Sequence, residues 1–155
     1  MRKQAKHDQA PAGKDPMEQR VSLITLGVSD LERSRRFYTD GLGWTAGLST
    51  HEVVFFQAGG LIVSLFPFDD LAADAQVAIH RGTGGIALAH NVREKAEVDI
   101  VMAQAAEAGA TITCPASEKA WGGYAGYFSD PDGHLWEVAW NPGFPFTPDG
   151  GVRLG

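Results

Sequence analysis

Glu137 is the residue of this sequence best placed to do chemistry. It stands between tryptophans in "LWEVAW" (135–140), inside "WGGYAGYFSDPDGHLWEVAWNP" (121–142), a stretch with six aromatics and four glycines. Read as a strand, the segment puts Trp136, Val138 and Trp140 on one face and Leu135, Glu137 and Ala139 on the other. The large apolar trio belongs against helices, so Glu137 faces away from them. A carboxylate that has lost water to aromatic neighbours holds a proton more readily, which is what general acid or base catalysis requires. Three roles are open to it: catalysis, anchoring a ligand, or a structurally satisfied acid bonded to a neighbouring hydroxyl or amide.

Few other residues compete. Cys114, in "TITCPA", is the single cysteine; it allows no internal disulfide and reads as a small buried hydrophobe. The five histidines (7, 51, 80, 90 and 134) show no His-x-x-x-His spacing that would suit a metal. His90 shares a strand face with Ile86 and Leu88, the face that suits packing on a helix. No Gly-x-Ser-x-Gly elbow or phosphate loop is present; "GTGG" (82–85) is too short and follows no strand. Arg33, Arg35 and Arg36 read as a solvated helix face.

The 155 residues suffice for one domain. With 44% apolar and 21% charged residues the composition is that of a soluble globular chain, and no apolar run approaches the length of a membrane span. Residues 1–20 form a polar leader of charge +2 without the apolar core of a secretory signal. The remaining body carries −8 of the net −6, with no basic stripe, which argues against nucleic acid as a partner. A lone thiol fits a reducing compartment, so the expected location is cytoplasmic.

One structural plan is written twice. "VSLITLGV" (21–28) reads as a strand, and "SDLERSRRFYTDGLG" as a helix with Ser29 as N-cap, Glu32 completing a capping box, and a Glu32–Arg36 pair on its wet face. Leu31, Phe37, Tyr38 and Leu42 form its dry face. Strands follow at "WTAGLST", "EVVFFQAG" and "LIVSLFPF". After the linker 67–83, which holds a helical turn at "DDLAADA", the plan restarts: strand "GIALAHNV" (85–92), a capping box of Asn91 with Glu94, and a helix with Val98, Val101, Met102 and Ala105 inward that ends at Gly109. Strands "TITC", "GYAGYFS" and "LWEVAW" complete it, the last two joined by the turn "DPDGH". This β-α-β-β-β order, repeated at roughly sixty residues, implies two halves that share one core. The expected modules are 21–66 and 84–142, with a C-terminal tail at 143–155 in which Phe144 and Phe146 fold back onto the body or a second subunit.

"VSLITLGVSDLERSRRFYTDGLGW" followed by "GYFSDPDGHLWEV" resembles the vicinal oxygen chelate superfamily of glyoxalases, bleomycin and fosfomycin resistance proteins and extradiol dioxygenases. The resemblance covers about residues 21–142. It implies an α+β fold in which two tandem βαβββ modules form one curved, U-shaped sheet around a cavity. In metal-using members of that superfamily, four strand positions hold a divalent ion through His, Glu or Gln. By the resemblance these fall on Leu23, Ser64 (Val63 if the register slips), Gly85 and Glu137, of which only Glu137 is a ligand type. One carboxylate does not hold a catalytic divalent ion. Tyr127 is expected to face the same cavity, with Trp121 at its mouth.

These readings define a glyoxalase-like protein that takes a small organic molecule into a pocket lined by Tyr127, Trp121, Ser64, Leu23 and Gly85. It is expected to act without cofactor or metal, as a binding or resistance-type protein, or as a lyase or isomerase through Glu137. The alternative is a metal-dependent glyoxalase- or dioxygenase-type enzyme with non-standard ligands, His51 among them. The resemblance implies a homodimer.

Overall fold

The computed structural model of the protein describes residues 17–82 and 84–154. The leader expected over 1–20 thus lies outside the described residues as far as residue 16. Twelve short segments follow in the anticipated order. Strand β1 (Leu23–Val28) leads into helix α1 (Leu31–Arg36), which continues as a π-helical turn over Phe37–Gly41. Strands β2 (Leu48–Ser49), β3 (Val54–Ala58) and β4 (Leu61–Pro67) complete the first βαβββ module. Helix α2 (Phe68–Ala75) occupies the linker. The second module comprises β5 (Ala87–Asn91), α3 (Lys95–Glu107), β6 (Thr111–Glu118), β7 (Tyr124–Ser129) and β8 (Leu135–Trp140).

Both modules have the same strand order, β1-β4-β3-β2 and β5-β8-β7-β6, with the first and last strands of each paired parallel. The eight strands form two four-stranded ladders. The repeat seen in the sequence is therefore a repeat of topology as well as of pattern.

The helix starts differ from expectation for a readable reason. Asp30 caps α1, accepting from the Arg33 amide at 2.9 Å, because the Ser29 amide and hydroxyl are both directed at Asp132. The second capping box joins Glu94 and Glu97 in place of Asn91 and Glu94. Asn91 is still a strand residue opposite Ala139, so its backbone serves the ladder. Strand β5 begins at Ala87, two residues later than expected; Gly85 precedes it with a φ of +77°. Glu32 pairs with Arg35 instead of Arg36.

One core serves both modules. Leu26, Val28, Val54, Phe56, Val63 and Leu65 from the first sheet meet Phe128, Trp136 and Val138 from the second, with Val98, Met102 and Ala105 of α3 and the rings of Phe37 and Tyr38 between them. Each such side chain contributes about 1.5–3 kcal/mol on burial. Tyr38 lies 6.2 Å and Trp44 5.7 Å from the Trp136 ring, so the aromatic cluster crosses from module to module. The wider π-helical turn accompanies the burial of two consecutive residues, Phe37 and Tyr38. Gly41 is needed where this turn meets α3, since a Cβ there would stand 2.4 Å from that of Ala108.

A polar latch completes the joint. The "DPDGH" turn does more than reverse the chain. Asp130, 4% exposed, accepts from the Tyr38 hydroxyl at 2.6 Å and from the amides of Asp132 and His134; Trp136 Nε1 donates in turn to Tyr38. The Asp132 side chain, 2% exposed, accepts from the amide and hydroxyl of Ser29, from Ser34 Oγ and from Arg33. His134 Nε2 lies 2.6 Å from the Gly27 carbonyl oxygen. Arg33 therefore belongs to the joint, while the sequence suggested a solvated face.

Burial, reinforced by the Asp130 carboxylate, pushes the Tyr38 hydroxyl well above the usual tyrosine value. The folded chain keeps this proton where an unfolded tyrosine, near 10, has released it. Stability is thus full below about pH 10 and drains away as pH rises above it. In a spectroscopic alkaline titration, one of the three tyrosines is expected to ionise only as the protein unfolds, and Tyr38→Phe to abolish that late step.

Candidate functional site

Glu137 is positioned by the second sheet. It lies opposite Ala89 on β5 and Tyr127 on β7, and Tyr127 lies opposite Cys114 on β6. Residues directly opposite in a ladder share a face, so Ala89, Glu137, Tyr127 and Cys114 form one row across the sheet. Trp136 and Val138, which flank Glu137, are buried on the other side as the alternation required. Tyr127 and Glu137 are direct partners in the β7–β8 ladder, so the phenol and the carboxylate stand side by side on one face. Loss of water, then the neighbouring Glu137 carboxylate, hold the Tyr127 proton above the ordinary tyrosine value. The pair is half-buried, open to a ligand but partly shielded from bulk water.

One residue of this row was read differently in the sequence, and one beside it was not singled out there. Cys114 is half-buried, where a core thiol was expected, because irregularities in β6 on either side of it turn its side chain to the Tyr127 face. Lys119 Nζ stands 3.9 Å from Cys114 Sγ and 3.2 Å from Ser117 Oγ. Trp121, 50% exposed, sits in the β6–β7 turn with its ring over Gly123, where a Cβ would come within 1.8 Å of the ring. By alternation Gly123 shares the side of Ala125 and Tyr127, so the indole lies toward the same row.

The remaining anticipated residues are placed elsewhere. Leu23 and Ser64 belong to the first sheet. Leu23 is 40% exposed, while Ser64 is buried and bonded to Thr25 Oγ1 at 2.8 Å. Gly85 is an exposed bend ahead of β5. His51 lies in the loop before β3, its side chain 91% exposed and 3.6 Å from Glu52. His90 pairs with Val138 on the helix side, where desolvation lowers its proton affinity against the opposing pull of Glu97.

The donor set does not fit the divalent ion of metal-using relatives. Leu23 and Gly85 offer no ligating side chain, and the Ser64 hydroxyl is engaged with Thr25. Among the described residues no group of three or more His, Cys, Asp and Glu side chains comes together. What the row can do is accept a hydrogen bond or proton at Glu137 and return one from Tyr127.

Two tandem βαβββ modules around a common core, with a lone strand acid facing away from the helices, define an α+β protein of glyoxalase-like architecture. The chain belongs to the Glyoxalase/Bleomycin resistance protein/Dioxygenase superfamily, whose family model matches residues 20–138. A glyoxalase-related enzyme from Fulvimarina pelagi is 41% identical over 89% of this chain and 99% of its own, with a TM-score of 0.86. The hypothetical protein SA1046 from S. aureus is 25% identical over 81% of this chain and 96% of its own, with a TM-score of 0.71. A lactoylglutathione lyase from Agrobacterium tumefaciens shares the fold at 24% identity, 80% of this chain, 95% of its own and a TM-score of 0.64. No curated protein matches the chain. No described helix is long and apolar enough to cross a membrane.

Proposed function

We propose that this protein binds a small organic molecule on the Tyr127 face of its second sheet, with Glu137 as the polar anchor and no divalent ion. The observation that carries this reading is the half-buried Glu137–Tyr127 pair, opposite each other in the β7–β8 ladder, set beside Leu23, Ser64 and Gly85, which by the resemblance hold the other three ligand positions and offer no metal ligand. Trp121 offers an apolar surface at one end of the row, and Ala89 leaves room beside the acid. Such a site suits a ligand with a hydroxyl or acidic C–H directed at the carboxylate and an apolar body against the indole. Abstraction of a substrate C–H proton by the Glu137 carboxylate, and its return from the resulting carboxylic acid to a neighbouring substrate atom or to the leaving group, would extend binding to a metal-independent isomerase or lyase reaction.

The edge strands β1 and β5 support a homodimer. Leu23 on β1 and Ile86, just ahead of β5, are 40% and 72% exposed, and apolar side chains at an unpaired sheet edge favour association. The single thiol fits work in a reducing compartment.

Protein purified without chelator is expected to carry only substoichiometric metal and to release a small organic molecule on denaturation, read by elemental analysis and native mass spectrometry. Stoichiometric zinc, nickel, manganese or iron that disappears in Glu137→Gln would overturn the metal-free reading.

A further inference from the structure

A concavity lies on the opposite, helical side of the molecule. It is an open cleft of about 510 Å³ between α1 with its π-helical turn and the C-terminal end of α3. Its walls carry two cations, Arg33 and Arg36, and one acid, Asp40; Ala108 and Pro131 supply half-buried apolar surface above the buried Phe37 ring.

Arg36 acts electrostatically on Glu32 and Asp40 on Arg35, but the two are not paired with each other. Arg33 is held in place by Asp132, and Arg35 is paired with Glu32. Arg36 and Asp40 form no ion pair among the described residues; the only side-chain bond that Asp40 makes there is a long one, 3.4 Å, from Thr39 Oγ1. Spaced i,i+4, the two would meet on an α-helix. The turn that begins at Phe37 is π-helical, so the spiral widens between them and they flank the cleft as separate groups. The C-terminal end of α3, the negative pole of its dipole, adds to the Asp40 side through Ala108 and Gly109.

We propose that this cleft binds a small zwitterionic α-amino acid with an apolar side chain. Arg36, supported by Arg33, takes the carboxylate; Asp40 and the end of α3 take the ammonium group; Ala108 and Pro131 receive the side chain. A guanidinium matches a carboxylate in two parallel hydrogen bonds. Net charge selects among ligands as well. The chain carries −6, which disfavours a simple anion but is indifferent to a neutral zwitterion. Because one wall comes from the first module and the other from the second, an occupant would brace the joint between them.

Isothermal calorimetry on the full chain with L-leucine and L-phenylalanine tests this, with N-acetyl-L-leucine and L-leucinamide as blocked probes. Saturable binding of the free amino acids is expected, weakened at least roughly tenfold by blocking either end and by Arg36→Gln or Asp40→Asn. These two side chains are exposed, so the variants should melt as the parent does. Glu137→Gln should leave leucine binding unchanged, which keeps this site separable from the one on the sheet. The proposal is overturned if neither amino acid binds more tightly than about 1 mM, if a blocked probe binds as well as leucine, or if Glu137→Gln abolishes the binding.

Discussion

Asp130→Ala is expected to destabilise the fold by about 3–5 kcal/mol, lowering the urea midpoint at unchanged slope. The change strips partners from the buried Tyr38 hydroxyl and from the amides of Asp132 and His134. A buried donor left without an acceptor costs about 1–3 kcal/mol, and the low dielectric of the core sharpens that penalty. No buried side-chain polar atom among the described residues lacks a partner in the native chain, so slack is not available nearby. Asp130→Asn should cost less, about 1–2 kcal/mol, because its carbonyl still accepts from the two amides. Tyr38→Phe combined with Asp130→Ala should cost less than the sum of the two, since each removes the same bond. A loss below about 1 kcal/mol for Asp130→Ala would show that the Tyr38–Asp130 bond contributes little to the joint and that apolar contact and the Asp132 and His134 bonds hold the modules together.

The largest functional effect is expected from Glu137→Gln. Glutamine keeps the size of the side chain and one acceptor but loses the charge. Affinity for the molecule bound on the second sheet should fall about tenfold, as for loss of a hydrogen bond to a charged, partly shielded acceptor. The variant carries its own spectroscopic control. The neighbouring carboxylate helps hold the Tyr127 proton up. In Glu137→Gln that phenol should therefore ionise at lower pH, with no change in the late, unfolding-linked step of Tyr38. Tyr127→Phe should reproduce part of the affinity loss, and the double variant should add little to Glu137→Gln. Unchanged affinity in Glu137→Gln, together with the shifted Tyr127 titration, would leave the acid as a structural partner of the phenol and nothing more.

Most of the architecture was readable along the chain because it depends on local periodicity. Period-two alternation in "LWEVAW" assigned Trp136 and Val138 to the core and Glu137 to the open face. Helical spacing placed Val98, Met102 and Ala105 inward. Repetition of the same element order announced two modules. Element ends were less legible. Asn91 and Ser29 have the chemistry of helix caps, yet the ladder claims the backbone of one and Asp132 claims both donors of the other. Competing partners from distant segments decided those positions.

The site divides along the same line. By the resemblance the four ligand positions of the superfamily fall on Leu23, Ser64, Gly85 and Glu137, and the amino-acid sequence by itself determined that only Glu137 among these four is of ligand type. Only tertiary structure decided what stands beside it. Tyr127 as its partner across the ladder, and Cys114 in the next place along the row, depend on strand register and on irregularities in β6. The Asp130–Tyr38 bond spans 92 residues and the Asp132–Ser34 bond 98. Contacts at such separation leave no periodic trace, because they are set by how two finished modules meet and not by the order of residues within either one.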